Sequence, residues 1–254
     1  MEKAKEAFYA KDYYEGLAPE PRLKEVAKIF DKFDGARLLD IGCGDGTFTL
    51  LLRNSMGAGE AFGVEIAREA VAAARKKGIK AYQIDIDRDD LPFDDEYFDV
   101  VYCGEIIEHV FDPDHLLEET HRVLRPEGNC VISTPNLAGW PNRFALLLGY
   151  QPYPMAASPR HESLGKLLMR DPEGQWGHIR IMTLRALKEL LTLHGFTIRR
   201  VIGCPVTLKS HLSHTLLNLI KLVDRIMSRF PSLSTRVVLV LGRNEKIGRP
   251  ENVS

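Results

Sequence analysis

The chain has 254 residues, 44% of them hydrophobic, with 34 Lys+Arg against 35 Asp+Glu for a formal charge of -1. That length and apolar content support one α/β domain over 1–254 with an insertion, and the charge balance gives no pull toward nucleic acid or acidic membranes. Cys43, Cys103, Cys130 and Cys204 lie far apart without CxxC spacing, which excludes a disulfide framework and fits reduced thiols in a cytoplasmic protein. The opening MEKAKEAFYAKDYYEG is charged, and no run approaches about 18 apolar residues, so neither a signal peptide nor a membrane span is expected.

In chain order, residues 1–34 form a helical arm around 21–33, where Leu23, Val26, Ala27 and Phe30 recur at helical spacing. Short apolar runs then alternate with helical stretches: 37–41 then 47–54, 61–66 then 68–77, 80–84, 98–103 then 114–124, and 130–133. Such alternation means a doubly wound parallel sheet, with 35–134 as its ligand-binding half. A stretch rich in Pro, Gly and aromatics follows Pro135, and 135–180 is expected to lie over the strand ends as a lid insertion. The remainder, 181–254, resumes the rhythm with a helix at 184–194 closed by Gly195, a strand at 196–202, an amphipathic helix at 209–229 and a last strand at 236–241.

The chemistry starts at LLDIGCGDGTF, residues 38–48, where Gly42, Gly44 and Gly46 sit between a buried run and a helix start. Bare backbone there lets a nucleotide-like ligand approach the carboxyl ends of the strands. The dinucleotide pattern GxGxxG is not met, since Thr47 occupies the third glycine's place. Asp40 and Asp45 bracket the loop, and their charges suit a ligand carrying an ammonium and a sulfonium, as S-adenosylmethionine does. Glu65 ends the second strand at roughly the 20-residue separation at which a carboxylate accepts both ribose hydroxyls, and Ile66 follows it. In QIDIDRDDLPF, Asp85 is placed to accept the adenine amine, with Asp87 as its alternative, and Ile86 to lie against the ring. Cys43, Cys103 and Glu105, at the ends of neighbouring strands, complete the expected cofactor contacts.

With VEI, DLPFDDEYFDVVYCGEIIEHVFDP, RVLRPEGNCVISTPN and GHIRIMTLRALKELLTLHGF, this spacing resembles the class I S-adenosylmethionine-dependent methyltransferases, in the group that methylates small molecules, over about 37–203. The resemblance implies a Rossmann-like doubly wound sheet, mostly parallel with an antiparallel last strand, and S-adenosylmethionine as cofactor.

Methyl transfer is an in-line displacement whose rate comes mostly from holding a desolvated nucleophile about 3 Å from the methyl carbon. GEIIEHV supplies acid–base help for an acceptor that arrives protonated: Glu108 and His109 are the candidate catalytic pair, with His109 as base. Two further readings stay open. Glu108 and His109 could be structural, or Glu105, Glu108 and His109 could form half of a divalent-metal site. The E-x-x-E-H block with His178 resembles the metal-binding arrangement of small-RNA 2′-O-methyltransferases and of quinone-biosynthesis O-methyltransferases. His161 is a further histidine, within the insertion.

Trp140, Phe144, Leu146–Leu148, Tyr150 and Tyr153 suit an apolar or ring-bearing acceptor, Arg143 and Arg160 could meet an anionic group, and Tyr13 and Tyr14 could cap the cofactor. In 209–229, Leu212, Leu216, Leu219, Ile220, Val223, Ile226 and Met227 oppose Lys221, Arg225 and Arg229. That pattern favours packing on the lid or on a second copy of the chain over contact with a membrane surface. The expected function is methylation of an O- or N-nucleophile on a small molecule. A metal-dependent RNA 2′-O-methyltransferase and a non-catalytic S-adenosylmethionine-binding regulator are the alternatives, the former disfavoured by the near-neutral charge and the few clustered Lys and Arg.

Overall fold

The computed structural model describes residues 25–26, 28–29, 35–158, 161, 163–167, 177–205 and 214–244. Residues 25, 26, 28 and 29 are helical and Val26 is buried. The rest of the expected arm, with Tyr13 and Tyr14, lies outside the described residues, as do Arg160 and Leu212.

Seven strands form one sheet: β1 (Arg37–Ile41), β2 (Glu60–Glu65), β3 (Lys80–Gln83), β4 (Phe98–Gly104), β5 (Leu124–Pro135), β6 (Phe196–Cys204) and β7 (Arg236–Arg243). Their order is β3-β2-β1-β4-β5-β7-β6, and β7 runs antiparallel to both β5 and β6. This is the doubly wound, Rossmann-like sheet with an antiparallel last strand that the resemblance implies. The order reverses between β1 and β4, and the crevice at such a switch point is where ligands bind in open α/β sheets.

Both faces of the central strands are apolar because helices cover both. On β1, Leu39 and Ile41 join one core and Leu38 the other, and β4 alternates likewise, Val101 and Cys103 against Val100 and Tyr102. The first core is closed by α3 (Pro113–Val123) through Leu116 and Leu117, and by α5 (Leu184–Leu193) through Leu187 and Leu191. The second is closed by α1 (Thr47–Met56) through Leu52 and Met56, and by α2 (Arg68–Lys76) through Val71 and Ala74. Each leucine so buried stabilises the fold by roughly 1.5–3 kcal/mol. Helix α3 starts where Pro113 presets its first turn and the Asp112 side chain accepts the His115 N–H at 3.0 Å; Thr183 caps α5 in the same way.

Three elements differ from expectation. Strand β5 begins at Leu124 rather than at Cys130, because the fully buried Leu124 pairs with Phe98 before an irregularity carries the register to Asn129 opposite Val100. Within the segment after Pro135, residues 140–147 form α4 (Trp140–Leu147), with Pro141 in its first turn. Helix α6 (His214–Met227) turns Leu217, Ile220, Val223 and Met227 inward with the buried Asp224, so Leu216, Leu219 and Ile226, expected on the packed side, are exposed. No helix among the described residues is long and apolar enough to cross a membrane.

The loop between β3 and β4 is clamped by Arg122 of α3. Its guanidinium donates to both carboxylate oxygens of Glu119 at 2.7 Å, to the Phe93 and Leu91 carbonyls at 2.7 and 2.9 Å, and to Asp95 at 2.9 Å. Burial alone works to raise the Glu119 carboxyl, but the bonds from Arg122 and from the Leu91 N–H hold it below its usual range. A lowered carboxyl contributes stability that is complete above the ordinary pKa and lost as pH falls through the folded one. Arg122→Ala is expected to lower unfolding free energy by about 2–3 kcal/mol at neutral pH, the scale of hydrogen bonds to charged groups. Denaturant titrations should show this deficit shrinking in acid, where Glu119 takes its proton in both proteins.

Candidate active site

The turn after β1 forms one wall of the switch-point crevice. Gly42, Gly44 and Gly46 adopt φ of 78°, 53° and 76°, a left-handed series that side chains resist. Gly42 and Cys43 donate their N–H groups to the Val64 carbonyl at 2.9 and 3.1 Å, which fastens the turn to β2. A Cβ on Gly42 would lie 3.1 Å from Ile106 Cδ1, and one on Gly46 2.9 Å from the Cβ of Ala74. The segment after β4 therefore rests directly on this turn.

Glu65 ties the turn to the second strand. Its Oε2 accepts the Gly44 N–H at 3.1 Å and its Oε1 the Ala67 N–H at 2.9 Å. Burial raises its carboxyl above the usual range, and these bonds oppose that rise. Asp40 is 3% exposed and accepts from Thr49 Oγ1 at 2.6 Å, so it braces α1 from beneath the turn. Ile66 follows Glu65 at the strand end, its carbonyl accepting from Gln83 Nε2 at 3.2 Å. Beyond β3, Asp85 Oδ1 accepts the Asp87 N–H at 3.2 Å, whereas Asp87 Oδ1 accepts the N–H groups of Phe111 and Asp112 at 2.7 and 3.2 Å. Ile86 is buried in the first core.

Three side chains stand otherwise than the sequence suggests. Asp45 faces Lys77, with which it forms an ion pair, and Thr47, whose N–H and hydroxyl it accepts at 3.0 and 2.8 Å, rather than the loop's ligand side. Cys103 is fully buried with Sγ 3.8 Å from Thr120 Oγ1 of α3, so its side chain points into the core and not toward a cofactor. Glu105, at φ 55°, ion-pairs with Arg236 of β7 at 3.2 Å. Cys43 packs its side chain toward the sheet: a Cβ on Gly63 would come 2.5 Å from its Sγ, and burial together with Asp40 raises its thiol.

The segment after β4 gathers the polar cluster. One ligand atom from each of Glu108, His109 and His178 lies within 4.8 Å of the other two, and the imidazole centroids are 4.9 Å apart. The irregular segment before α5 is brought in by backbone bonds from Ile179 and Arg180 to the Glu108 carbonyl at 2.8 and 3.1 Å. His109 Nδ1 meets the Gly177 carbonyl at 3.3 Å and His178 Nδ1 the Pro154 carbonyl at 2.8 Å. A carbonyl only accepts, so each ring carries its proton on Nδ1 and a lone pair on Nε2. Burial, then His178, pushes His109 down to about 4, and burial lowers His178 as well. Glu108 is fully buried and its Oε2 accepts from Thr134 Oγ1 at 2.9 Å, while Oε1 has no hydrogen-bond partner among the described residues. Burial and the neighbouring Glu105 raise its carboxyl. Glu105 and His161 are not part of this three-residue group. Thr134 and Arg236, which hold Glu108 and Glu105, carry no motif of their own; only their places at the ends of β5 and β7 mark them.

A glycine turn at the switch point of such a sheet, with an acid at the next strand end, is an arrangement that suits a nucleotide-like cofactor. Residues 9–201 match the family model described as a methyltransferase domain, and the chain belongs to that family of S-adenosylmethionine-dependent methyltransferases. A demethylmenaquinone methyltransferase of Bacillus cytotoxicus is 31% identical over 50% of the chain, and the chain spans 57% of that relative's length. A ubiquinone biosynthesis O-methyltransferase of Alkalilimnicola ehrlichii is 31% identical over 66% of the chain and 69% of its own length. In fold, the chain is similar to the methyltransferase solved with the Trm112 activator from Haloferax volcanii (TM-score 0.67, 19% identity, 95% of this chain and 98% of that one). It is likewise similar to a possible histamine N-methyltransferase from Thermotoga maritima (TM-score 0.59, 20% identity, 89% and 88%).

Replacing Glu65 removes the acceptor that orients Gly44. Glu65→Ala is expected to weaken S-adenosylmethionine binding by roughly 1.5–3 kcal/mol while leaving the protein folded, as hydrogen bonds to a charged group are worth about that much. Calorimetric titration of both proteins, with circular dichroism to confirm folding, measures the difference.

Proposed function

We propose that the protein methylates an O- or N-nucleophile on a small, ring-bearing or apolar molecule, with His109 as the proton acceptor. The observation that carries this reading is the convergence of Glu108, His109 and His178 beside the segment whose Ile106 rests on the glycine turn. The cofactor's ribose lies against Glu65 and its adenine against Asp85, since the Asp87 side chain is turned to the backbone at the start of α3. Asp40 acts from beneath, through the backbone it braces. Of the expected acceptor wall, Tyr153 stays near the cluster beside Pro154, whose carbonyl meets His178, whereas Phe144 and Leu146–Leu148 are exposed; a ring-bearing acceptor there agrees with the quinone-pathway names of the two curated relatives. Four buried, unbridged cysteines are consistent with a reducing cytoplasm.

In this mechanism the neutral His109 offers its Nε2 lone pair to the acceptor's proton as the nucleophile closes on the methyl carbon. The His178 ring, fixed by Pro154, bounds the other side of the nucleophile's position. The bound acceptor displaces water from this half-buried setting, so its oxygen or nitrogen reaches the sulfonium desolvated, and proximity supplies most of the rate.

A second reading is favoured by the donor set itself. Two imidazoles with Nδ1 engaged by carbonyls and a buried carboxylate oxygen lacking a partner form a three-ligand arrangement that fits a divalent ion, with Glu105 held apart by Arg236. A bound ion supplies Lewis-acid stabilisation of an acceptor oxyanion.

The two readings separate in one experiment. If His109 is the base, His109→Ala lowers kcat by roughly 10²–10⁴ with cofactor affinity unchanged, and chelator has no effect. If the trio holds an ion, chelator abolishes turnover, added Mg²⁺, Mn²⁺ or Zn²⁺ restores it, and His178→Ala fails as badly as His109→Ala. Co-product release with phenols and quinone precursors provides the readout. Full turnover by a folded His109→Ala protein contradicts both.

A further inference from the structure

Helix α6 has two apolar faces, and the fold uses one of them. Leu217, Ile220, Val223 and Met227 turn inward around Asp224, whose Oδ1 accepts from Trp140 Nε1 of α4 at 2.9 Å. The other face presents Leu216, Leu219, Leu222 and Ile226 to solvent, with Phe230 just beyond the helix end; Leu219, Leu222 and Phe230 are 56%, 53% and 56% exposed. Along its edge, at intervals of one helical turn, stand Lys221, Arg225 and Arg229, all exposed and without an ion pair among the described residues. Helix α4, tied to α6 by the Trp140 to Asp224 bond, also exposes Phe144, Leu146 and Leu147, the last of them 81% exposed, with Leu148 just past its end.

We propose that this face docks on the surface of an anionic phospholipid membrane. Its charge pattern selects the occupant. In 214–230 and 140–158 there is one acid, Asp224, and it is buried, so all exposed charge on these elements is positive. Pairing two copies through a two-fold axis would set Lys221, Arg225 and Arg229 against the same cations with no acid to meet them, whereas anionic headgroups complement them while the leucines enter the acyl boundary. The near-neutral total charge hides this local asymmetry. The surface is joined to the active site: Asn142 of α4 accepts the Tyr153 N–H at 3.0 Å, and the Pro154 carbonyl holds His178. A face of this kind seats the crevice near the membrane interface. The inference stands apart from the acceptor's identity and from His109's role.

Sedimentation with vesicles tests it on the full chain. The protein is expected to pellet with phosphatidylglycerol vesicles, to stay in the supernatant with phosphatidylcholine vesicles, and to be released by added salt. Neutralising three cations in Lys221→Gln/Arg225→Gln/Arg229→Gln should weaken binding roughly 100-fold, given the attraction of each basic residue to an anionic leaflet. Leu219→Ser/Leu222→Ser should also lose binding, with both variants keeping the wild-type circular dichroism spectrum and cofactor affinity. Equal partitioning of wild type and the cation variant overturns the proposal. So does failure to bind phosphatidylglycerol, and so does a dimer in sedimentation equilibrium that the leucine variant abolishes while vesicle binding is absent.

Discussion

The ligand edge of this protein depends on the left-handed turn at the end of β1. A chain leaving a fully buried strand and entering a helix within a few residues must reverse its backbone course while its N–H groups stay satisfied. Gly42, Gly44 and Gly46 make that reversal without side-chain clash, and the Val64 carbonyl and Glu65 carboxylate take up the donors. Three consequences follow from its geometry. The second strand is locked beside the first at its carboxyl end, α1 begins beneath Asp40, and the surface above Gly42 is open for Ile106 to rest on. The glycine turn and the polar cluster are thus set relative to one another by the turn's backbone and the Ile106 side chain that rests on it.

Around the cluster the chain keeps charge low. His109 and His178 are half-buried and held as neutral rings by carbonyls, and the fully buried Glu108 lies in a setting that favours its protonated form. Glu105 is balanced by Arg236. A sulfonium cofactor brings its own positive charge, so a pocket with little fixed positive charge avoids repelling it, and neutral imidazoles can accept a proton or a cation without first shedding one. Thr134 and Pro154 matter because they keep donors and acceptors in one arrangement in a low-dielectric space, where a misplaced polar atom is costly.

Much of the architecture was legible because it rests on local chemistry. Alternating apolar runs and helical stretches place the first four strands within a few residues, and Gly195, in the left-handed region after α5, ends that helix as its position suggests. GxGxG after a buried run ending in an acid gave the turn, and the family match supports its cofactor class. What escaped the sequence was set by distant partners. Asp45 was drawn toward Lys77, Cys103 toward Thr120, and Glu105 toward Arg236, each by a residue on another element. Periodicity alone also left α6 open, because a helix with apolar residues on two faces does not declare which one packs on its own chain; the Trp140 to Asp224 bond lies on the inward one.

The central claim is that the turn after β1 and Glu65 build a site for S-adenosylmethionine at the switch point. Isothermal titration of the wild-type protein with S-adenosylhomocysteine, which keeps the ribose, adenine and amino acid but no sulfonium, tests this most directly, with NADH as the competing ligand. The account predicts saturable heat for S-adenosylhomocysteine that NADH neither produces nor displaces. Tight NADH binding with no heat from S-adenosylhomocysteine would contradict it.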